Sequence, residues 1–316
     1  MIRVLLDTDL AMGTAGSDVD DGFALALAVA DPELSVDLVT TVSGNTDVDT
    51  ATMLTLGLLE RLGRPDVPVV RGASRSLRGW WRGPAHGDLP PSGGPVGPQP
   101  GYAAAQLVER IMAEPGELTI VAIGPLTNVA LALALEPALG ERVRELVVMG
   151  GVFLEHTNRA GMPGEFNTWV DPDATAMVLR SGAPLRFVGL DVTERVRLTR
   201  EHASTLESSP STFGRFAGEC AQRWITHQEQ TFPHDRRARG SCALHDPLAV
   251  ATVSSPDLVT WQPSHVQVET SSDITRGVMV ADLLTGADSP PANCRIATEV
   301  DSQRFLTLFL DRISSL

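Results

Sequence analysis

The stretch that decides the fold is "LLDTDLAMGTAGSDVDDGFALALAVAD", residues 5–31. A short apolar run ends in acids, a segment of small residues follows, and an apolar pattern of helical length begins at a second group of acids. Such a pattern predicts a buried strand, a turn and a helix. Within fifteen residues it gathers five aspartates, Asp7, Asp9, Asp18, Asp20 and Asp21.

The same alternation returns along the chain. The apolar runs "VDLVTTVSGN", "LTIVAIGPLTN", "ELVVMGGVF" and "PLRFVGLDVT" end in small or polar residues, and most lead into a helical pattern. Continuous apolar strands that alternate with helices are typical of a parallel sheet covered on both faces. We therefore predict one α/β domain over residues 1–316, with a mostly parallel sheet of Rossmann-like topology, helices on both faces, and helical and loop insertions near the C-terminal strand ends.

Two segments interrupt this alternation. Residues 72–101 are rich in Gly and Pro and predict a long loop, and loops of this length inside compact domains are usually functional or disordered. Residues 201–240 predict one or two helices, with aromatic residues and histidines near their end, namely Trp224, His227, Phe232 and His234.

Composition excludes several classes of function. The 316 residues carry a formal net charge of −14, which argues against nucleic acid and anionic membranes as partners. All 25 Lys+Arg residues are arginine, so a P-loop, Schiff-base or general-base lysine is impossible. We expect no signal peptide, because the N-terminal apolar run of about four residues is followed directly by acids. We also expect no membrane span, because no run reaches about 18 apolar residues. Cys220, Cys242 and Cys294 are expected to be buried thiols of a cytoplasmic protein.

Polar residues fall where the predicted strands end, and in an open parallel sheet ligands bind at that edge. These residues are Asp7, Asp9, Asn45, Thr127, Asn128 and Asp191, and His245 and Asp246 stand where a turn enters a helix. The acids are therefore expected to converge on one site.

Helix capping accounts for part of the opening stretch. Ser17 or Asp18 would cap the following helix, and Asp20 and Asp21 would complement its dipole. Helix capping does not explain Asp7 and Asp9, which lie on the preceding strand. Two carboxylates about 4 Å apart repel by about 4 kcal/mol at an effective dielectric constant of about 20, so shared protons or a cation must offset them. Oxygen ligands without cysteine or paired histidines favour Ca²⁺ or Mg²⁺, and Ca²⁺ if several protein oxygens bind directly.

A phosphatase reading competes for the same stretch. "VLLDTDLAMGT" loosely matches the DxDxT/V start of haloacid-dehalogenase-type phosphatases, in which the first aspartate attacks phosphorus. Ala11 occupies the fifth position of that pattern, where Thr or Val is usual. The lysine that commonly steadies the phosphoryl group is also missing, so this reading is disfavoured.

Taken together, the motifs resemble the nucleoside hydrolases that prefer inosine and uridine. The N-terminal family pattern DTDxGxDDAxAL appears as Asp7-Thr8-Asp9 and Asp20-Asp21-Gly22-Phe23-Ala24-Leu25. Further motifs follow in the family's order over nearly the whole chain, namely "TTVSGNTDVD", "AHGDL", "IGPLTNVALAL", "VVMGG", "GEFNTWVDPDA", "GLDVT" and "HDPLAVA".

The resemblance implies a Ca²⁺ site formed by Asp9, Asp21, the backbone carbonyl of Thr127 and Asp246. It also implies a set of substrate-binding residues. In that set Asp20 and Asn167 hold the ribose 2′- and 3′-hydroxyls with Asn45 close by, Glu165 reaches the 5′-hydroxyl, and Met149 packs beneath the sugar. The family's second 5′-hydroxyl ligand falls at position 159, which is arginine here, so the adjacent Asn158 takes its place in the prediction.

The implied reaction is hydrolysis of the N-glycosidic bond of ribonucleosides to free base and ribose, through an oxocarbenium-like state. Ca²⁺ would bind the attacking water and the sugar diol, Asp9 would be the general base, and His245 would protonate or position the leaving base. In the family branch that stacks purines a tryptophan replaces this histidine. His245 therefore favours a pyrimidine-accepting or broad-specificity enzyme.

The base pocket is expected between the 72–101 loop and the 201–240 helices. Candidates for contact with the base are Trp80, Trp81, Trp224, His227 and Phe232, although residues of these types are more often core or surface residues than base contacts. His86 is a further substrate-binding candidate, and it can equally be a loop histidine satisfied by solvent. Two other functions stay open. The first is hydrolysis of another N-ribosyl compound, such as a modified nucleoside or nicotinamide riboside, and the second is non-catalytic Ca²⁺-dependent sugar binding. The resemblance suggests a homodimer or homotetramer that acts in nucleoside salvage.

The spacer between the two aspartate groups departs from the family pattern. Ten residues, 10–19, stand where the family has three, so about seven are extra. Asp20 and Asp21 can reach the ion only if this segment loops out and returns, which Gly13, Ala15 and Gly16 permit. The segment is then predicted to lie at the rim of the active site, and Asp7 to buttress it.

Overall fold

A mostly parallel sheet of eight strands forms the centre of the structure, a computed structural model that describes residues 1–85, 97–284, 286 and 288–316. Its strands are β1 (Ile2–Thr8), β2 (Leu34–Thr41), β3 (Val69–Arg71), β4 (Leu118–Ala122), β5 (Glu145–Met149), β6 (Leu185–Val188), β9 (Val259–Ser264) and β12 (Cys294–Val300). Two antiparallel ribbons lie outside this sheet, β7 (Arg197–Thr199) with β8 (Ser241–Ala243) and β10 (Val266–Val268) with β11 (Met279–Ala281).

The strand order is β3-β2-β1-β4-β5-β6-β12-β9, and every neighbouring pair is parallel except β12 with β9. The order reverses between β1 and β4. This is the point at which an open α/β sheet leaves a crevice for a ligand. The predicted Rossmann-like parallel sheet is confirmed.

Helices cover both faces of the sheet. They are α1 (Asp20–Ala30), α2 (Val48–Arg61), α3 (Ala103–Ala113), α4 (Thr127–Leu135), α5 (Leu139–Arg142), α6 (Phe166–Val170), α7 (Pro172–Leu179), α8 (Leu190–Thr193), α9 (Arg200–Glu207), α10 (Thr212–Thr231), α11 (His245–Ser254) and α12 (Ser302–Ser314), with a 3₁₀ turn at Pro256–Leu258. One hydrophobic core, which includes Phe23 and Phe309, packs α1, α11 and α12 against the sheet. A second core, which includes Ile111 and Phe187, packs α3, α4 and α7 against the other face.

The two insertions take the predicted form where the structure describes them. Residues 201–240 contain most of α9 and all of α10, which pack on each other. The described parts of the 72–101 segment, residues 72–85 and 97–101, contain no helix and no strand. His86 lies outside the described residues, so its predicted contact with substrate stays a prediction.

The segment that precedes α1 corrects one expectation. The N-cap of α1 is Val19, and no side chain caps the helix, so the predicted cap by Ser17 or Asp18 is wrong. The Asp18 carboxylate accepts a hydrogen bond from the adjacent Val19 amide at 2.7 Å instead. The spacer folds into a tight turn, with Gly13 and Gly16 at φ values of 107° and 72°. As a result of this turn, Asp18 lies just before the N-terminus of α1 and does not cap it.

Two further expectations can be compared with the structure. Cys220, Cys242 and Cys294 are buried and free, which confirms their prediction as buried thiols. In the part of the chain that the structure describes, no helix has the length and apolar character needed to cross a membrane.

Candidate active site

Acidic side chains from three elements meet at the C-terminal edge of the sheet. Asp9 directly follows β1, Asp20 and Asp21 begin α1, and Asp246 is the second residue of α11. Carboxylate oxygens of Asp20, Asp21 and Asp246 lie within 4.8 Å of one another. All four side chains are buried, so these acids do converge at one edge of the sheet. Asp191 does not join them, because its carboxylate accepts hydrogen bonds from the backbone amides of residues 153–155.

The Asp9 carboxylate is held from one side only. Its Oδ2 accepts a hydrogen bond from the Asn45 amide at 2.6 Å, whereas its buried Oδ1 has no hydrogen-bond partner in the part of the chain that the structure describes. Glycines surround this carboxylate closely. A Cβ on Gly44 would lie 2.0 Å from Oδ2, and a Cβ on Gly124 would lie 3.0 Å from Oδ1. The loops after β2 and β4 therefore clamp Asp9 and leave Oδ1 available.

Asp21 is oriented by two neutral donors. Its Oδ1 accepts a hydrogen bond from the Thr8 hydroxyl, and its Oδ2 accepts one from the Asn45 side-chain amide at 3.0 Å. Asn45 thus holds Asp9 through its backbone and Asp21 through its side chain. One residue in the loop after β2 therefore fixes the relative positions of two acids.

Asp7 lies behind this group, as its predicted buttressing role requires. Its Oδ1 accepts hydrogen bonds from the Thr40 hydroxyl at 2.6 Å and from Asn128 Nδ2 at 2.7 Å. Asn128 also donates to the Thr41 carbonyl at 3.0 Å. Burial raises the pKa of Asp7 to about 7. These contacts tie β1, β2 and α4 together beneath the site.

The negative charge of these four buried carboxylates must be balanced by a cation or by bound protons. Burial, and then the neighbouring carboxylates, raise the pKa values of Asp9, Asp20 and Asp246 well above their usual range, and burial raises the pKa of Asp21 to about 6. Among the described residues, no arginine forms an ion pair with these four side chains. An all-oxygen donor set with the unpartnered Asp9 Oδ1 fits a hard cation such as Ca²⁺.

A cavity of about 900 Å³ lies over the acids. Its lining contains most of the residues that the sequence predicted to bind substrate, namely Asp20, Asn45, Met149, Asn158, Glu165, Asn167 and His227, together with His245 and Asp246. Asp9 and Asp21 are buried more deeply and do not line it. Thr127 is the first residue of α4 and is also buried, and its hydroxyl donates to Asp171 at 2.7 Å. Its carbonyl as a metal ligand stays a prediction.

Asn167 presents an acceptor to the cavity. Its Nδ2 donates to the carbonyls of Ile123 at 2.9 Å and Met149 at 3.2 Å, which leaves Oδ1 free for a hydroxyl group. Glu165 serves as the N-cap of α6, where its Oε1 accepts a hydrogen bond from the Asn167 amide at 2.8 Å. Burial raises the pKa of Glu165 to about 7.

His245 stands at the start of α11 with one ring nitrogen engaged. Its Nδ1 lies 2.7 Å from the hydroxyl oxygen of Thr193, so Nε2 is the nitrogen left for a ligand. Thr193 is the last residue of the motif "GLDVT", and the sequence alone predicted no role for it. Sequence reasoning also missed Asp18, which lines the same cavity. Burial raises the pKa of Asp18, and the nearby charge of His245 opposes that rise.

A family comparison decides the class of protein. The sequence model of the family described as inosine-uridine preferring nucleoside hydrolase matches residues 4–307. The chain belongs to this family. The predicted family is confirmed, and with it the enzyme class, a hydrolase that acts on N-glycosyl bonds.

Individual nucleoside hydrolases resemble the chain over almost its full length. The pyrimidine-specific ribonucleoside hydrolase RihA of Citrobacter koseri is 32% identical and aligns with 93% of this chain and 95% of its own. The non-specific ribonucleoside hydrolase RihC of Escherichia fergusonii is 34% identical, with 96% and 95% covered. The solved purine-preferring ribonucleoside hydrolase from Gardnerella vaginalis superposes with a TM-score of 0.85 at 30% identity over 99% and 98% of the two chains. These relatives differ in base preference.

In this nucleoside hydrolase, α10 forms the wall of the cavity opposite the acids. Trp224 stacks on His227 with ring centroids 5.5 Å apart and an interplanar angle of 15°. Trp224 Nε1 and Gln228 Oε1 are buried and have no hydrogen-bond partner within residues 1–85, 97–284, 286 and 288–316, and both residues line the cavity. Sequence reasoning did not select Gln228, although its position one helical turn after Trp224 was a usable signal. Phe232, beyond the helix end, lies 5.0 Å from the Arg159 guanidinium.

The two tryptophans of the 72–101 segment lie elsewhere. Trp81 packs edge-on against Phe166 and Trp169, with ring centroids 5.7 and 5.2 Å apart, and its Nε1 donates to the Gly44 carbonyl at 3.3 Å. Neither Trp80 nor Trp81 lines the cavity, so their predicted contact with the base is not supported. Within the described part of this segment, Pro84 is the residue that reaches the cavity.

The spacer does reach the rim of the cavity. Gly16, Ser17 and Asp18 line it, and a Cβ added to Gly16 would lie 3.0 Å from Cε1 of His227. The spacer therefore packs against His227 of α10, and a side chain at position 16 would require that ring to shift.

Proposed function

We propose that this nucleoside hydrolase binds Ca²⁺ through Asp9, Asp21, Asp246 and the Thr127 carbonyl, and cleaves ribonucleosides to free base and ribose with Asp9 as general base. The observation that carries this proposal is the group of buried carboxylates that has no arginine partner among the described residues, with Asp9 Oδ1 unpartnered there as well. Such a group is stable when a cation neutralises it.

The residues of the site then have separate roles in the reaction. When bound, the ion lowers the pKa of the attacking water and orients the sugar diol. Asp9 accepts the water proton at Oδ1, because the Asn45 amide occupies Oδ2. Asp20 and the free Oδ1 of Asn167 accept hydrogen bonds from the ribose hydroxyls, which holds C1′ in line with the water. Met149, buried at the end of β5, packs beneath the sugar.

The 5′-hydroxyl side of the ribose is assigned to Glu165 and Asn158. Both line the cavity, and Glu165 is already fixed by its capping bond to α6. Asn158, in the loop after β5, has a left-handed backbone with a φ of 58°, and its Nδ2 donates to the His156 carbonyl at 3.2 Å.

His245 is assigned to the leaving base. Thr193 engages Nδ1, which directs Nε2 towards the cavity and the glycosidic nitrogen of a bound nucleoside. Protonation by a positioned acid is worth about 10²- to 10⁴-fold in rate.

We expect His245→Ala to lower kcat for uridine by about 10²-fold or more. A riboside with a nitrophenolate leaving group should lose little, since that group leaves without protonation. Thr193→Val keeps the imidazole and removes its hydroxyl partner, so a smaller loss is expected. Steady-state assays of both substrates check this, and equal losses on both would contradict the acid role.

Trp224 and Gln228 are assigned to the base itself. Trp224 Nε1 is a donor and Gln228 Oε1 an acceptor, and both lack partners. A carbonyl next to a ring N–H, as in uracil and hypoxanthine, offers the matching acceptor and donor. Stacking on aromatic side chains of this wall would add to binding.

Gln228→Leu is therefore expected to lower kcat/KM for uridine and inosine by about fivefold, mostly through KM, because one hydrogen bond of about 1 kcal/mol is lost. Gln230→Leu, an exposed glutamine on the same helix, is the matched control and should leave both constants unchanged. An unaltered KM in the Gln228 variant would remove this residue from the base site.

The deciding experiment is release of ribose from a nucleoside panel, with and without a calcium chelator. Ribose from common nucleosides that depends on Ca²⁺ supports the proposal. Ribose only from modified nucleosides or nicotinamide riboside would shift the substrate class, and saturable ribose binding without hydrolysis would make the protein a sugar-binding one. Assembly as a homodimer or homotetramer, a cytoplasmic location and a salvage role stay predictions.

A further inference from the structure

A second cavity, of about 270 Å³, lies at the opposite end of the sheet from the acids. Its walls include the start of β1 and the residues that begin β5, β6 and β12. Three arginines line it, Arg144, Arg186 and Arg295, together with Trp261 from β9. The catalytic proposal makes no use of this cavity.

Two of these arginines are neighbours in the sheet. Arg295 of β12 pairs in parallel register with Arg186 of β6, so both side chains leave the same face. Adjacent strands are about 4.8 Å apart, and like charges at such positions destabilise a sheet. A shared anion between them would remove this cost.

Arg186 is the buried member of the group. It donates to the Thr252 carbonyl at 3.2 Å, pairs with Glu145, and lies over the Trp261 ring at 4.9 Å. Its buried Nε has no hydrogen-bond partner among the residues that the structure describes. Arg186 is 6% exposed, so packing fixes this guanidinium before any ligand arrives.

Arg144 and Arg295 are exposed, and neither forms an ion pair with any described residue. Three arginines against Glu145 leave a local charge of +2 at the cavity. This is the reverse of the whole chain, which carries −14. A polyanion such as nucleic acid would meet the acidic remainder of the surface, so the patch suits a small anion.

We propose that this cavity binds inorganic phosphate or a small phosphate monoester. Guanidinium groups bind phosphate and carboxylate oxygens in bidentate pairs. A tetrahedral oxyanion has enough oxygens to satisfy three guanidinium groups around one small cavity, whereas a carboxylate has two. The site lies on residues outside the catalytic group, so it stands whether or not the proposed reaction is correct.

The test is calorimetric titration of the full-length protein, loaded with one equivalent of Ca²⁺, with inorganic phosphate, glycerol phosphate and acetate at constant ionic strength. Because the site is proposed to recognise the phosphate group itself, inorganic phosphate and glycerol phosphate should both bind with a millimolar or lower Kd. Acetate should bind much more weakly. Binding of glycerol phosphate only would assign the site to phosphate esters. Absence of phosphate binding, or acetate binding as tightly, would overturn the proposal.

Variants locate the binding. Arg144→Gln with Arg295→Gln should weaken phosphate binding at least about tenfold, since two charge-assisted contacts are lost. Both side chains are exposed and unpaired, so the variant should fold, which an unchanged thermal unfolding curve without phosphate checks. Arg180→Gln is the matched control, because Arg180 is exposed at the end of α7 on the other face of the sheet. Equal phosphate affinity in the double variant and the control would place the anion elsewhere and overturn the assignment.

Discussion

Asp9→Asn is expected to lower kcat for ribonucleosides by about 10³-fold or more while the protein stays folded. Asparagine has the same shape and can still accept the Asn45 amide hydrogen bond that Asp9 Oδ2 accepts at 2.6 Å. It cannot take a proton from water, and a positioned general base is worth about 10²- to 10⁴-fold in rate. Loss of one ligand charge from the ion lowers the rate further.

Two measurements separate this role from a structural one. Removal of one carboxylate from a crowded, buried cluster relieves repulsion, so the metal-free Asp9→Asn protein should unfold at the same or a higher temperature than the metal-free wild type. Asp7→Asn is the matched control on the same strand. Asp7 is bonded to Thr40 and Asn128, and its loss of charge should cost much less turnover. Near-normal turnover in the Asp9 variant would refute its role as base.

The sequence predicted the parts of this site that local pattern encodes. Asp9 follows an apolar strand and Asp21 lies at the start of an apolar helix, so their meeting at one edge of a parallel sheet follows from chain order. His245 and Asp246 were placed with them through the ordered motifs. A short motif at the end of a strand is informative because the connection rules of a parallel sheet allow that motif few positions in the fold.

What the sequence did not predict depends on tertiary packing. Asp18 has the residue type and position of a helix cap, yet the tight turn at Gly13 and Gly16 carries it to the cavity instead. Thr193 and Gln228 are ordinary helical residues until the fold places one against His245 and the other in the cavity wall. Roles of this kind appear only when distant elements are brought together.

The stability of the metal-free protein is expected to fall as pH rises from about 4 to 7. Burial raises the pKa of Asp21 to about 6 and those of Asp7 and Glu165 to about 7. In this range the folded chain keeps protons that the unfolded chain has released, so the free energy of unfolding decreases with pH. For Glu165 alone, a rise from 4.5 to about 7 corresponds to roughly 3 kcal/mol. Thermal unfolding with a chelator across this range measures the slope, and a flat or rising profile would contradict it.

Bound Ca²⁺ is expected to reverse this decrease of stability with rising pH. At pH 5 the ion must displace protons from Asp9, Asp20 and Asp246, whose pKa values lie well above their usual range through burial and mutual repulsion. At pH 8 fewer protons compete, so saturating Ca²⁺ should raise the unfolding temperature more at pH 8 than at pH 5.

The same ion should restore chelated enzyme from background to full turnover. Asp246→Asn should lose most of both effects, because it removes one of the three clustered ligand groups. Glu165→Gln, which removes a buried carboxylate outside that cluster, should keep the stabilisation by Ca²⁺. If Ca²⁺ shifted the Asp246 variant as much as the wild type, the ion would bind elsewhere and the proposed metal centre would be wrong. If Mg²⁺ alone restored turnover, the site would stand but its ion would be the smaller, octahedral one.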